Sequence, residues 1–348
     1  MSYWQGRRVV VPGGAGFIGS YLVEQLVGEG ARVTVVDNLE SGRFANLTSV
    51  EGRIEFILGD VTDMALCREV FDGKDAVLDM AASAPGVGHS HRHHVELLGR
   101  NLQIGSTVLE AARHVGVRRV LVVSSSCVYP EDAPVPTPEL PAFTGEPERA
   151  NSGYGWAKRY LELQARHYAE RFGMEIALAR PFNAYGARDV ARDGRSHVIP
   201  ALIARLLSDS SSLVVWGSGR QTRSFVHARD VATGLRLLTE RYAACDPVNV
   251  GHDRETSIRQ LVELLMELSG TDKEVVFDTS RPEGCARKSA DMTKFRRVTG
   301  GFEPETDLRR GLCEMIEAHR SPPGLAAAIR AAASARPTSH PPASPMVT

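Results

Sequence analysis

The sequence has few cysteines, few aromatic residues and no long apolar run. Its five cysteines are odd in number and show no Cys-x-x-Cys spacing, so we predict neither a disulfide framework nor a zinc site. No stretch of about 18 apolar residues is present, so no membrane-spanning helix is expected. The chain reaches the apolar residues 9–11 without the core of a signal peptide, and we therefore expect a cytoplasmic protein.

The sequence also lacks an excess of charge of either sign. Forty-one Lys and Arg residues stand against forty-two Asp and Glu residues, which gives a formal net charge of −1. That balance argues against a nucleic-acid or membrane partner, but it allows a local basic pocket for a phosphorylated ligand. With 348 residues, 43% of them hydrophobic, the chain is long enough for two domains or for one large domain with a smaller lobe.

Short β-branched runs alternate with helix-like segments from residue 8 to about 126, and this rhythm predicts βαβ units and a parallel sheet covered on both faces. We therefore predict an α/β protein with a Rossmann-type doubly wound sheet and a smaller, interleaved C-terminal lobe for substrate. The first domain is placed at residues 1–183, with returning segments near 226–251, and the lobe at 184–320. Residues 321–348 are rich in proline near their end and are expected to form a disordered tail.

Three glycines follow the first predicted strand and precede a helix. Gly13, Gly16 and Gly19 are spaced three residues apart, which permits a tight turn whose backbone N–H groups face a pyrophosphate at the helix N-terminus. A plain turn is the alternative, and the position between strand and helix favours the phosphate site. Phe17 and Ile18 lie within the same turn and are assigned to the cofactor site with the glycines.

Asp37 closes the second predicted strand, eighteen residues beyond Gly19. A carboxylate there accepts hydrogen bonds from ribose hydroxyls of NAD and repels the 2′-phosphate of NADP. Since no arginine directly follows Asp37 and the next one along the chain, Arg43, is in the next loop, we predict NAD as the cofactor. Asp60 is placed to meet the adenine ring, with capping of the following helix as the alternative. The cofactor-site residues from this region are Asp37, Asn38, Asp60 and Val61.

Tyr154 and Lys158 are four residues apart on a predicted helix, so their side chains are neighbours on one face. A lysine ammonium beside a phenol favours the phenolate and is expected to lower the pKa of the tyrosine from about 10 toward neutrality. The pair follows the serines at 124–126 by about thirty residues. Together with the glycine turn, these elements form a specific combination, although the spacing of Tyr154 and Lys158 alone often occurs by chance.

In these motifs the sequence resembles the extended short-chain dehydrogenase/reductase family, the NAD-dependent epimerases and dehydratases of nucleotide sugars. The resemblance covers roughly residues 7–318. It implies that Ser125, Tyr154 and Lys158 form the hydride-transfer triad: Ser125 holds the sugar O4, Tyr154 takes its proton, and Lys158 lowers the pKa of Tyr154 and binds the nicotinamide ribose. Tyr154 and Lys158 therefore count as both catalytic and cofactor-binding residues.

A narrower resemblance concerns residues 125–130 and 196–202. The first segment, SSCVYP, looks like that of GDP-mannose 3,5-epimerases and GDP-fucose synthases, which carry a cysteine where Cys127 stands. The second, SHVIPAL, looks like the synthase segment that supplies a histidine partner, here His197, whereas the mannose epimerases tend to have a lysine there. The resemblance also implies that Arg223 clamps the diphosphate and that Asn183 and Arg287 contact the nucleotide. Ser126 is assigned to the substrate-binding residues with them.

Chemistry explains why a cysteine and a histidine would be paired. Oxidation of C4 to a ketone acidifies the C–H bonds at C3 and C5, and inversion then needs an acid and a base on opposite faces. Thiol and imidazole, with reference pKa values of about 8.5 and 6.5, both exchange protons near neutral pH. Cys127 and His197 are predicted to do so. The alternatives are a cysteine that only packs and a histidine at the surface.

The loop at residues 84–94 contains four histidines within six residues. Without a pattern of acidic or thiol partners we assign no metal to it. We expect Gly86 and Gly88 to let the backbone approach the hexose and the histidines at 89–94 to flank a mobile lid.

These patterns predict a homodimeric, NAD-dependent epimerase of a GDP-hexose such as GDP-mannose, which inverts C3, C5 or both through a transient 4-keto intermediate. The dimer is a family expectation, through helices around residues 102–114 and 154–172. One alternative is a GDP-6-deoxyhexose epimerase-reductase like GDP-fucose synthase. Others are a 4-epimerase or dehydratase of a UDP- or dTDP-sugar and a binding module without catalysis, although the complete triad speaks against the last.

Overall fold

The computed structural model describes residues 2–191, 196–281 and 284–320. The predicted disordered tail at 321–348 lies outside these ranges. Among the helices described, none is long and apolar enough to cross a membrane.

The main sheet consists of seven parallel strands. Numbered along the whole chain, they are β1 (Arg8–Pro12), β2 (Arg32–Asp37), β3 (Ile54–Leu58), β4 (Ala76–Asp79), β5 (Arg119–Val123), β6 (Glu175–Pro181) and β11 (Val248–Val250). Their spatial order is β11-β6-β5-β4-β1-β2-β3. The order reverses between β1 and β4, and this topological switch point is where doubly wound sheets bind dinucleotides.

Helices cover both faces of this sheet. They are α1 (Phe17–Gly28), α2 (Met64–Phe71), α3 (Val87–Ser90), α4 (His94–His114), α5 (Ser152–Phe172) and α7 (Ala228–Arg241). Along β1, Val9 and Val11 point into an apolar core that includes residues of α1 and α7, while Val10 points into another with residues of α2, α4 and α5. Buried side chains on both faces explain the continuous β-branched runs of the sequence and confirm the predicted doubly wound α/β fold.

A smaller lobe is built from the remaining elements. Its helices are α6 (Val198–Leu206), α8 (Ile258–Ser269) and α10 (Leu308–Arg320), whereas α9 (Thr293–Thr299) packs against α7 and β11 of the main sheet. The strands are β7 (Ala184–Tyr185), β8 (Ser212–Trp216), β9 (Thr222–Ser224), β10 (Val226–His227), β12 (Glu255–Ser257), β13 (Glu274–Asp278) and β14 (Arg287–Lys288). A separate apolar core joins α6, α8, α10 and β8. Because α7 and β11 return to the main sheet between these segments, the two parts are interleaved.

The lobe contributes to the site through one pair of strands. Strand β14 runs parallel to β9, and the register places Lys288 opposite Arg223. Asn183, directly before β7, donates hydrogen bonds from Nδ2 to the carbonyl oxygens of Ser224 (3.1 Å) and Lys288 (3.3 Å). Segments about a hundred residues apart in the chain therefore meet just beyond the carboxyl end of β6.

Candidate active site

The glycine turn after β1 is closely packed. Gly13 has a φ of +70°, and a Cβ there would lie 2.7 Å from the backbone nitrogen of Ala81. A Cβ at Gly19 would collide with the carbonyl oxygen of Gly13. Only glycine fits these two positions, because the turn brings the start of α1 directly against the ends of β1 and β4.

The N-terminus of α1 is suited to a phosphate group. Gly16 is its N-cap and offers no side chain to the first turn, which begins with Phe17, Ile18 and Gly19. Backbone N–H groups of a helix's first turn have no partner within the helix, and the helix dipole adds positive potential there. The turn therefore fits the pyrophosphate of a dinucleotide, as its spacing predicts.

Asp37 lies at the end of β2, beside the glycine turn. Its carboxylate is buried and accepts hydrogen bonds from the backbone N–H groups of Ala15 (3.0 Å) and Leu39 (2.9 Å). Burial raises the pKa of Asp37, and the two hydrogen bonds oppose that rise. The carboxylate is thus held in one orientation at the end of β2, beside the glycine turn.

Asp60 follows β3 and belongs to a polar cluster. Its carboxylate accepts hydrogen bonds from the Nδ2 group of Asn38 (3.0 Å), from Thr62 and from Arg100. Burial opposes ionisation, but Arg100 and Thr62 outweigh it and hold the pKa of Asp60 well below its usual range. The capping alternative for Asp60 is wrong, because Asp63 caps α2 by accepting from the first-turn N–H groups.

Tyr154 and Lys158 lie in the first two turns of α5, and Ser125 follows β5. The Lys158 ammonium is 5.5 Å from the ring centroid of Tyr154 and donates to the carbonyl oxygen of Val123 at 2.8 Å. Burial raises the pKa of Tyr154, the nearby Cys127 thiol adds to the rise, and a hydrogen bond with Ser125 opposes it. The expected lowering of the pKa of Tyr154 by Lys158 is thus not found. The Lys158 ammonium donates its hydrogen bond to the carbonyl oxygen of Val123 and not to the phenol.

Lys158 is itself buried among carboxylates. Burial lowers its pKa, whereas Asp79 and Glu162 raise it. Asp79, at the end of β4, is fully enclosed, and burial raises its pKa to about 7 although Lys158 opposes the rise. The ammonium and Asp79 thus share a region of low dielectric beneath the site.

Cys127 lies in a short 3-10 helix directly after Ser125. Its backbone N–H donates to Ser125 Oγ at 3.1 Å, which fixes the turn. Lys288 Nζ donates to Cys127 Sγ at 3.9 Å and to Glu148 Oε2 at 2.9 Å. Burial raises the pKa of the Cys127 thiol to about 11, Lys288 lowers it, and Glu148 raises it again. The thiol is therefore protonated at neutral pH and faces a cation.

His197 has a carboxylate partner of its own, Asp189. It precedes α6, its side chain is 45% exposed, and its Nδ1 lies 2.9 Å from Asp189 Oδ2. Desolvation lowers the pKa of His197, but Asp189 outweighs it and the pKa is raised. Within the parts of the chain that the structure describes, no hydrogen bond joins His197 to Cys127, so their pairing stays a prediction.

The predicted substrate-binding residues differ in their surroundings. Arg223 is half-buried and donates from Nη1 to the carbonyl oxygen of Thr222 at 2.8 Å. Arg287 is 55% exposed and donates two hydrogen bonds to Glu255, at 3.1 and 2.6 Å, so its guanidinium already has an anionic partner. Ser126 is buried within the 3-10 helix beside Cys127.

The histidine-rich segment at residues 89–94 contacts the start of α5, the helix that carries Tyr154. The rings of His89 and His93 are stacked, with centroids 4.0 Å apart. His94 Nδ1 accepts a hydrogen bond from the backbone N–H of Gly153, one residue before Tyr154, at 3.3 Å. Among the described residues, no cluster of three potential ligands could hold a metal ion. Gly86 is buried and Gly88 is half-buried in the adjoining segment.

Sequence reasoning missed two residues of the site, Glu148 and Lys288. Lys288 directly follows Arg287, so the segment was recognised, but Arg287 and not Lys288 was singled out in it. Glu148 stands six residues before Tyr154 in a stretch without any motif, and nothing in the sequence pointed to it.

Comparison with known proteins agrees with this geometry. The family model described as the NAD dependent epimerase/dehydratase family matches residues 9–251. The chain belongs to this family. Its match includes the glycine turn, Asp37, Ser125 and the Tyr154–Lys158 pair, and the cofactor is NAD, as predicted.

Relatives and solved structures in this family differ in substrate. The chain is 33% identical over 318 residues to a probable GDP-L-fucose synthase of rice (Oryza sativa subsp. japonica), covering 89% of this chain and 91% of the relative. It is 31% identical over 317 residues to a GDP-mannose 3,5-epimerase of rice, covering 89% and 81%. A dTDP-glucose 4,6-dehydratase of Streptomyces venezuelae, solved with NAD bound, superposes with a TM-score of 0.78 at 30% identity, covering 91% of this chain and 98% of that one.

Proposed function

We propose that the protein is a nucleotide-sugar epimerase that inverts C3, C5 or both of a GDP-hexose such as GDP-mannose through a transient 4-keto intermediate. One observation carries this proposal: the Cys127 thiol shares the buried site of Tyr154 and faces the Lys288 ammonium. Ser125, Tyr154 and Lys158 are sufficient for chemistry at C4. A further proton-exchanging group beside them is needed only where a neighbouring carbon also loses and regains a proton.

The hydride chemistry at C4 is supplied by NAD when it is bound. Ser125 holds the sugar O4 by a hydrogen bond, and Tyr154 moves the proton of that hydroxyl. Lys158 keeps a positive charge near Tyr154 and meets the nicotinamide ribose. The buried Asp37 carboxylate meets the adenosine ribose and disfavours a 2′-phosphate.

Cys127 and His197 act at the carbons next to the ketone. Because its pKa is about 11, Cys127 is a thiol at rest and suits the role of proton donor. His197 is the proposed partner on the opposite face of the sugar, and it has to reach the hexose from the start of α6. The guanidinium of Arg223 and the amide of Asn183 are proposed to bind the diphosphate and nucleotide.

A second candidate function is that of an epimerase-reductase that makes a GDP-6-deoxyhexose from a 4-keto precursor. The histidine in the 196–202 segment and the 33% identity to a GDP-L-fucose synthase favour it. The enclosed Asp37 favours the first candidate, because an enzyme that consumes external reductant would more naturally select NADPH. A 4-epimerase or dehydratase of a UDP- or dTDP-sugar is the third candidate, consistent with the dTDP-glucose dehydratase fold match.

The deciding experiment is to incubate the enzyme with GDP-mannose in D2O without added reductant and to analyse the products by mass spectrometry and NMR. We expect isomeric GDP-hexoses with deuterium at C3 or C5. The Cys127→Ser variant should lose at least about a hundredfold in the rate of incorporation, the usual contribution of a general acid or base. Cys245→Ser replaces a half-buried thiol elsewhere in the chain and should leave the rate unchanged.

Other outcomes point to the other candidates. Activity only with a 4-keto-6-deoxy substrate and NADPH would identify the epimerase-reductase. Turnover of UDP- or dTDP-sugars that is insensitive to Cys127→Ser would identify the third candidate. Absence of deuterium at C3 and C5 with every GDP-hexose would refute the proposal.

We also propose a homodimer formed through α4 and α5. These helices pack against each other and leave large apolar side chains exposed: Tyr160 and Phe172 on α5 are each 47% exposed, and Val95 on α4 is 80% exposed. Light scattering should give twice the mass of one chain for the wild type. For Tyr160→Glu it should give the mass of a single chain. Val276→Glu, at an apolar residue of β13 that is 40% exposed and lies outside both helices, is the control.

A further inference from the structure

A buried ion pair adjoins the Cys127 thiol. Lys288 and Glu148 are joined by a 2.9 Å hydrogen bond, and their side chains are only 15% and 8% exposed. Burying such an ion pair costs free energy and contributes little to the stability of the fold. Stability alone therefore does not explain why the pair lies beside the Cys127 thiol. Glu148 is held further by the Nδ2 group of Asn151 at 3.1 Å and accepts from the Cys285 thiol at 3.7 Å.

We propose that Glu148 and Lys288 are positioning residues for Cys127, with Lys288 as the cation that stabilises its thiolate and Glu148 as the anion that limits this effect. The inference rests on the proposed function, in which Cys127 exchanges a proton with a sugar carbon. Lys288 acts through the sulfur, from which its Nζ is 3.9 Å distant, and not on the substrate carbon.

The proton balance explains why both members of the pair are present. When the thiol gives its proton to the carbanion, the S–H bond breaks, a C–H bond forms, and the electron pair stays on sulfur. The thiolate then faces the Lys288 ammonium, which keeps its own protons, and it later regains a proton from water. Without Glu148 the thiolate would become the main counterion of Lys288 and would be too stable to take that proton back.

The groups around Cys127 come from four segments. Tyr154 and Ser125 face it from α5 and the end of β5, and Glu148 precedes α5. Lys288 reaches it from β14. Arg223 and Cys285 interact with the Glu148–Lys288 pair rather than with Cys127. Burial lowers the pKa of Arg223, and the nearby Cys285 and Glu148 oppose that lowering. Substitutions at Glu148 and Lys288 therefore test the pair without removing any member of the proposed triad.

The test measures the rate at which iodoacetamide alkylates Cys127 at pH 8, resolved from Cys285 by peptide mass spectrometry. In Glu148→Gln the Lys288 charge is no longer compensated, so the thiolate fraction and the rate should increase. In Lys288→Met the rate should decrease. Each pKa unit changes the rate by about threefold, because nucleophilicity falls as the pKa falls, and we expect at least that change in each direction. Lys288→Arg should restore most of the wild-type rate.

The controls separate this role from a merely structural one. Lys294→Met and Asp246→Asn break another ion pair whose lysine is also 15% exposed, and both should leave the Cys127 rate unchanged. If both Glu148→Gln and Lys288→Met accelerate alkylation, the pair only shields Cys127 from the reagent, and the inference fails. If the rates change in opposite directions while the wild type incorporates no deuterium from D2O, the inference stands and the proposed epimerisation fails.

Discussion

Arg180 lies against Glu162 in the interior, with Nε and Nη2 donating hydrogen bonds of 2.8 and 2.6 Å to the two carboxylate oxygens. Glu162 is one helical turn beyond Lys158 on α5, and it also accepts from Ser124, next to Ser125. The pair therefore ties β6, α5 and the end of β5 together. It fixes the spacing between the helix that carries Tyr154 and the strand end that carries Ser125.

We predict that Glu162→Gln destabilises the protein by about 3–5 kcal/mol, because it leaves the Arg180 guanidinium charged and buried without its anion. Equilibrium urea unfolding measures this change. Glu267→Gln breaks an exposed ion pair with Arg309 and should have little effect. Equal effects of the two substitutions would show that the interior pair does not hold the elements together.

The sequence predicted the main sheet and the cofactor turn because their signals are local. Gly13, Gly16 and Gly19 are spaced within one turn, and Tyr154 and Lys158 within one helix, so neither needs tertiary information. Glu148 and Lys288 are 140 residues apart and meet because β14 pairs with β9. No periodicity encodes such a contact. The same limit applies to His197, whose distance from the sugar depends on how the lobe lies against the sheet.

Asp79 gives a prediction about pH. Its pKa is about 7 in the folded protein, against an ordinary value of 3.8 for the carboxyl group of an unfolded chain, so the folded state binds its proton more tightly. The stability that this proton contributes is fully present below about pH 4 and is lost as the pH rises through 7. Asp79→Asn removes the buried charge, and its unfolding free energy relative to wild type should increase between pH 5 and pH 8.

The expected gain is about 1–3 kcal/mol, since one pKa unit corresponds to about 1.4 kcal/mol. Urea unfolding of both proteins at pH 5 and pH 8 measures it. Asp72→Asn, at an exposed carboxylate after α2, should show the same difference from wild type at both pH values. A relative stability of Asp79→Asn that falls with pH would mean that Lys158 stabilises the ionised carboxylate more than burial disfavours it.

Gly153, at the start of α5, packs closely against His94 at the start of α4. A Cβ there would collide with the carbonyl oxygen of His94, so Gly153→Ala should push the helices apart and destabilise the protein by about 1–3 kcal/mol. Gly99 lies exposed in α4, where an added Cβ would meet no atom within 4 Å, and Gly99→Ala should stabilise by about 0.5–1 kcal/mol. Thermal unfolding distinguishes the two, and a stabilising Gly153→Ala would contradict the close packing.

We predict that Asp37 determines whether NAD or NADP binds. Asp37→Asn removes the charge that accepts from ribose hydroxyls and repels a 2′-phosphate, so NAD should bind about tenfold more weakly or worse, while NADP should lose less affinity or gain some. Fluorescence titration of nucleotide-free protein measures both affinities, and Glu51→Gln, at an exposed carboxylate, is the control. Thermal unfolding checks that the turn at Ala15 and Leu39 survives. An unchanged ratio of NAD to NADP affinity would show that the selectivity comes from another group, since Asp37 is the carboxylate that the glycine turn holds in place.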